Sequence, residues 1–285
     1  MSAGPLVTEP GTDRLGEVAD RVRRRVVDMC AGEEGGHLGG SLSLVDILTA
    51  LYFAVLRVDP GRPDWPDRDV FVLSKGHGAL ALYAVLAERG FLDPGELDTY
   101  GQPGSRLLGH PVRTVPGVEL PTGSLGHGLA LGLGFAVAGQ LAGSARRTVV
   151  VTGDGELQEG SCWEAAGCAG ALRADRLVAI VDRNGLQLTG RTEDICPLEP
   201  LADRWRAFGW SVLEVDGHDP VALAAALSTT PWQPGRPSAL LARTQKGYGI
   251  PFIAGRPACH YVRLDERLQA KTRGALAAFL RGRLS

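Results

Sequence analysis

Two polar residues have the types and the spacing to hold one cation together. Asp154 lies between two glycines (Gly153-Asp154-Gly155), and Asn184 follows about thirty residues later in VDRNG. The run 148–152 is β-branched and apolar, as a strand buried on both faces requires, and 177–181 is a second such run. Between them Ser161 and Glu164 have capping-box spacing for a helix reaching about Leu172. A strand–helix–strand crossover makes the two strands parallel, and neighbouring strands lie about 4.8 Å apart. Asp154 and Asn184 then stand just past the carboxyl ends of adjacent strands, where such sheets bind ligands. One carboxylate, one amide oxygen and a backbone carbonyl near Leu186 suit a small hard cation such as magnesium. They leave positions for water and phosphate. The backbone N–H groups of Gly155 and Glu156 and the helix start at Ser161 favour an anion beside it.

Other segments bring candidate side chains to the same edge. Residues 14–31 carry apolar residues at a helical period, Leu15, Val18, Val22, Val26 and Met29. The glycines of 35–40 break that period around His37, and Ser43 is positioned to cap a helix over 44–56. A third strand over 69–73 ends in Ser74-Lys75-Gly76-His77-Gly78, followed by a helix over 79–89. Residues 91–121 read as an irregular segment carrying Gly109-His110-Pro111, and loops this long inside a compact domain are usually functional. A glycine-rich apolar segment, TGSLGHGLALGLGFAVAG, follows; it is too short and glycine-rich for a membrane span and reads as a buried helix. Strands over 211–215 and 239–242, a helix opened by Asp219 and Pro220, and a loop bearing Cys259-His260 complete the pattern. Strands alternating with helices predict an α/β fold, a single doubly wound parallel sheet with helices on both faces. The expected organisation is a loose tail over 1–12 and one domain over 13–285. His218 reads as part of a helix start, Glu164 as a cap and Lys75 as a surface charge.

Composition narrows the function classes. The 285 residues are 44% hydrophobic with a net charge of −2, which gives no bulk attraction to nucleic acid or to an anionic membrane. Five cysteines without a CxxC pair suggest reduced thiols in the cytoplasm. TGSLGHG is close to a dinucleotide phosphate loop, but TVPGVELP before it does not read as a strand, and no Tyr-x-x-x-Lys pair occurs.

Gly-Asp-Gly followed by Asn at this spacing resembles the thiamine diphosphate signature. In order, GGHLGGSLS, FVLSKGHG, GHP, TGSLGHG, GDGELQEG, VDRNG, VDGHD and a late histidine resemble the amino-terminal half of a transketolase. More specifically, the chain resembles the separate amino-terminal subunit of split transketolases, from about Gly35 to His260. The resemblance implies that Asp154, Asn184 and the Leu186 carbonyl hold Mg²⁺ (or Ca²⁺ or Mn²⁺). Gly153, Gly155, Glu156, His77 and His260 would contact the diphosphate of thiamine diphosphate or sit beside it. Gly123, Ser124 and Leu125 match the loop on the aminopyrimidine side. His37, His77, His110 and His260 match channel histidines that bind sugar hydroxyls and shuttle protons, and Glu159 matches a carboxylate linking two active sites. His127 stands where many transketolases have Gln, and the residues after His260 are larger than the family's. The implied activity is two-carbon ketol transfer from a ketose (phosphate) to an aldose. It is expected only with a C-terminal transketolase subunit carrying the pyrimidine-binding domain, in an α2β2 heterotetramer. The alternatives are a subunit like those of 2-oxo acid dehydrogenases or 1-deoxyxylulose-5-phosphate synthases, and a non-catalytic cofactor-binding half.

Overall fold

The computed structural model describes residues 14–31 and 34–283. The expected tail over 1–12 lies outside the described residues. Five strands form one parallel sheet in the order β1-β2-β3-β5-β4. They are β1 (Val70–Leu73), β2 (Thr148–Gly153), β3 (Leu177–Arg183), β4 (Ser211–Asp216) and β5 (Ser238–Arg243). All four pairings are parallel. The helices are α1 (Leu15–Met29), α2 (Leu38–Leu42), α3 (Val45–Ala50), α4 (Ala79–Arg89), α5 (Gly128–Leu141), α6 (Gly160–Ala171), α7 (Thr192–Ile195), α8 (Leu201–Ala207), α9 (Pro220–Ser228) and α10 (Glu266–Gly282).

Alternating side chains along each strand feed two cores, as the pleat dictates. Phe71, Leu73, Val149, Val151, Val178, Ile180 and Leu240 pack with α1, α3, α4 and α9 on one face. Val70, Val72, Val150, Ala179, Val181 and Leu241 pack with α5, α6 and Trp205 of α8 on the other. The apolar runs of β1, β2 and β3 follow from this, because both of their faces are covered. β4 is an edge strand, and Leu213 and Glu214 on it are exposed.

Three local expectations are corrected. The helix expected over 44–56 is divided: α3 ends at Ala50 and a π-helical turn runs Leu51–Val55. Ser43 does not cap it; it is itself helical in φ/ψ, and its hydroxyl donates to Asp182 and to the Gly40 carbonyl. The Ser161–Glu164 capping box does not form. Glu159 is the N-cap of α6 without a side-chain bond, and Ser161, already inside the helix, donates to the Gly126 carbonyl at 2.9 Å. Tertiary partners outcompete the local cap in both places. Asp219 caps α9 as expected, accepting from Val221 and Ala222.

The close seating of α5 on the sheet rests on glycine. A Cβ at Gly128 would clash with the side chain and backbone of Ser74, whereas a Cβ at Gly134 would meet nothing within 4 Å. Gly128→Ala is therefore expected to lower the melting temperature by roughly 3–10 °C, from an overpacking cost of about 1–3 kcal/mol. Gly134→Ala gains helix propensity of about 1 kcal/mol and should melt no lower than wild type. Thermal unfolding of the two variants checks the pair.

Candidate active site

Past the carboxyl ends of β1, β2 and β3 a cleft of about 320 Å³ opens, lined by residues from eight separate segments of the chain. Register decides its floor. Gly153 pairs with Asp182, so Asp154 and Asn184 leave adjacent strands within a residue or two of each other. Asp154 is buried. One of its oxygens accepts from the Gly155 N–H at 2.8 Å, the other from Gly185 N–H at 2.6 Å and from Arg183 at 3.0 Å. Burial and the nearby Asp182 nevertheless raise its carboxyl above the ordinary range. Asn184, Leu186, Gly153, Gly155 and Glu156 all line the cleft.

Four histidines converge over this floor. The His37 ring lies 5.5 Å from His77, 5.6 Å from His110 and 5.2 Å from His260, and His77 lies 5.4 Å from His260. Each is brought in by a different device. An antiparallel bridge between Gly36 and Val262 sets His37 beside the His260–Tyr261 loop. Gly39 lets α2 lie on Cys259, where a Cβ would clash. A 3-10 turn, Gly76–Gly78, carries His77 off β1. The Tyr83 hydroxyl donates to the carbonyls of Leu108 and His110 and so fixes the 91–121 segment. Burial, with His110 and the lysines adding to it, lowers His37 to about 4; burial followed by Lys246 lowers His260 to about 4. Burial also pushes His77 well below its ordinary value. These rings are therefore neutral at pH 7, and each carries one donor and one acceptor.

Several residues that sequence reasoning missed complete the site. Lys75, read as a surface charge, is 1% exposed and donates to Asp182 at 2.5 Å and to the Gly40 carbonyl at 3.2 Å. Lys246 is 2% exposed, with its Nζ 3.0 Å from His260 Nδ1. A signal was available: only Lys75, Lys246 and Lys271 are lysines among 30 basic residues, and two of the three line the cleft. Glu156 contributes differently from expectation. Its side chain accepts from Ser74 (2.5 Å), Gly126 N–H (2.9 Å) and Gly153 N–H (3.1 Å), joining three segments behind the cleft. His218 is structural, held between Asp46 and the Gln245 N–H and stacked on Tyr248. Gly123, Leu125 and Glu159 line the cleft. Ser124 is not among the lining residues; it lies 3.1 Å from His127, whose ring closes the same turn by bonding the Leu125 carbonyl.

Asp154, Asn184 and Leu186 line the floor and bring a carboxylate, a side-chain amide and a backbone carbonyl, oxygens of the kind that suit a hard cation. His37 Nδ1 is buried and without a protein partner, so the cleft holds a polar atom that a ligand can satisfy. A magnesium-bound diphosphate fits these features.

A parallel α/β sheet with oxygens at its carboxyl edge defines the class, a ligand-binding α/β domain with its site at the ends of the strands. The family model for the transketolase thiamine diphosphate binding domain matches residues 16–278. The 6-deoxy-6-sulfo-D-fructose transketolase subunit of Clostridium sp. (strain MSTE9) is 45% identical, over 82% of this chain and 85% of that protein. An apulose-4-phosphate transketolase subunit of Actinobacillus succinogenes is 47% identical, over 87% of this chain and 91% of that one. Among solved structures, transketolase from Campylobacter jejuni superposes with a TM-score of 0.86 at 31% identity, covering 93% of this chain but 43% of that one. The chain belongs to the transketolase family.

The histidine cluster gives a pH dependence of stability with a definite sign. The folded-state values of His37 and His260, about 4, lie below the unfolded value near 6.5. The unfolded chain thus binds more protons between those limits. The stability these rings allow is complete above about pH 6.5 and is lost as pH falls toward 4. The double variant His37→Gln/His260→Gln should flatten the fall in melting temperature between pH 6.5 and 4.5. A curve that stays parallel to wild type would show that these rings do not titrate as described.

Proposed function

We propose that this chain is the cofactor-holding subunit of a two-subunit transketolase. Magnesium would be held by Asp154, Asn184 and the Leu186 carbonyl, with the diphosphate beside them at the N–H groups of Gly155 and Glu156. The convergence of His37, His77, His110 and His260 over the carboxyl edge of β2 and β3 carries this reading. Thiamine diphosphate, when bound, supplies the nucleophilic carbon that takes up a two-carbon ketol unit. The protein's own groups do the rest. Neutral histidines donate to and accept from sugar hydroxyls, and move protons between them. The buried positive charge of Lys75 and Lys246 favours an anionic ligand at the floor.

The relatives named as subunits match this chain over most of their own length, whereas the chain spans 43% of the Campylobacter transketolase. This supports, as partner, a C-terminal transketolase subunit carrying the pyrimidine-binding domain, in an α2β2 assembly; Glu159 at the cleft edge would connect paired sites. The outward face of α5 supports it too: Leu131 and Leu141 are exposed there at 46% and 85%. Both of these relatives are named for sugars bearing an acidic group, 6-deoxy-6-sulfo-D-fructose and apulose-4-phosphate. A ketose with an anionic terminus is the donor we propose here. Packing of helices on both faces of one sheet supports 13–285 as one domain. Five free thiols suit the cytoplasm, and no helix among the described residues is long and apolar enough to cross a membrane.

The test is steady-state turnover of the chain mixed with a C-terminal transketolase subunit, over a panel of ketoses and 2-oxo acids. Ketol transfer from ketoses is expected, and turnover of 2-oxo acids alone would overturn the reading. In the same assembly His37→Ala and His110→Ala should each lower turnover by about 10²–10⁴-fold while cofactor affinity by calorimetry stays within about 3-fold of wild type. Wild-type turnover in both would make these histidines structural.

A further inference from the structure

Beneath the cleft lies a polar cluster that the ligand set does not include. Asp182, the residue of β3 opposite Gly153, is fully buried. It accepts from Lys75 at 2.5 Å, from Ser43 at 2.7 Å and from the Thr244 hydroxyl. Its fourth donor is the side-chain amide of Asn184, whose Nδ2 lies 3.2 Å from Asp182 Oδ2 and 3.5 Å from the Asp182 carbonyl. The opposite end of that amide, Oδ1, accepts from the Leu186 N–H at 3.1 Å.

An amide has two ends that differ only in hydrogen bonding, and its orientation is set by its partners. A carboxylate can only accept, so the end of Asn184 facing Asp182 must be the NH₂. A backbone N–H can only donate, so the end facing Leu186 must be the oxygen. The two constraints agree. Without Asp182 only the single bond from the Leu186 N–H opposes rotation of the amide, which would turn its NH₂ to the position where a cation needs an oxygen. Lys75 makes the arrangement tolerable, since an unpaired buried carboxylate beside Asp154 would be strongly disfavoured.

We propose that Asp182, paired with the buried Lys75, is a positioning residue that fixes the Asn184 amide with its oxygen toward the cation site. This inference rests on the reading of Asn184 as a metal ligand. It separates two roles in the run Asp182-Arg183-Asn184: Asn184 ligates, while Asp182 orients it from behind.

The experiment is calorimetric titration of Mg²⁺ with thiamine diphosphate into the full chain, with thermal unfolding of every variant beside it. Asn184→Ala tests the underlying reading, and wild-type affinity there would remove that reading itself. Lys75→Met/Asp182→Asn removes the orienting charge without leaving an unpaired lysine. It is expected to weaken magnesium-dependent cofactor binding by roughly 10–100-fold, as loss of the residues behind a metal ligand does. Should that variant not fold, Asp182→Asn is titrated in its place with the same criterion. Thr244→Val removes one bond to Asp182 but leaves the amide facing it, and should change affinity less than about 3-fold. Adding Asn184→Asp to Lys75→Met/Asp182→Asn should recover the affinity, because a carboxylate presents oxygen whichever way it turns. Loss in Asn184→Ala with wild-type affinity in Lys75→Met/Asp182→Asn would overturn the inference. So would loss that Asn184→Asp does not recover, since the effect would then come through the fold or through the lost charge of Lys75 and not through the amide.

Discussion

The buried pair of Lys75 and Asp182 is the interaction on which the site depends. Lys and Asp are almost never fully buried unless paired, and removing one partner of such a pair typically costs about 3–5 kcal/mol. That is a large part of the roughly 5–15 kcal/mol by which domains are stable. The pair joins the end of β1 to the end of β3. Ser43 adds the α2–α3 junction, and Thr244 adds the end of β5. Four segments far apart in the chain are thereby held at one edge of the sheet. Although burial works against it, Lys75 and the hydroxyl donors hold Asp182 below the usual carboxylate range. Asp154, by contrast, is raised by burial and by Asp182 itself. The two carboxylates are thus pushed in opposite directions, and the one without a lysine is the one facing the cleft.

Charge above this floor is arranged on the same logic. Lys246 stands beside His260, and burial together with Lys75 lowers its own affinity for protons. Lys75 and Lys246 line the cleft together with Asp154, Glu156 and Glu159, a mixed lining that suits a polyanion held together with a cation. The histidines above them are kept neutral by burial and by those same lysines. The proposed function would use this division, with a cation-bound diphosphate below and uncharged rings above.

Much of this was legible in the sequence. The apolar runs of β2 and β3 and the turn residues after them fixed Asp154 and Asn184 next to each other. Glycine-rich breaks marked His37, His77 and His110. What escaped was whatever depends on partners remote in sequence. Lys75 looks like a surface charge until Asp182 is known to lie 2.5 Å away. Ser43 and Ser161 have the local pattern of helix caps, but Asp182 and the Gly126 carbonyl offer them buried bonds instead. Glu156 was expected through its backbone, while its side chain knots three loops. The π-helical turn at Leu51–Val55 had no cue in a uniformly apolar stretch.

The central claim is that this chain holds the cofactor while a second polypeptide activates it. The most direct measurement is hydrogen–deuterium exchange at the reactive thiazolium carbon of thiamine diphosphate, with magnesium, followed on the chain alone and after addition of a C-terminal transketolase subunit. Slow exchange on the chain alone, becoming fast when the partner is added, is the expected result. Fast exchange on the chain alone would contradict the account.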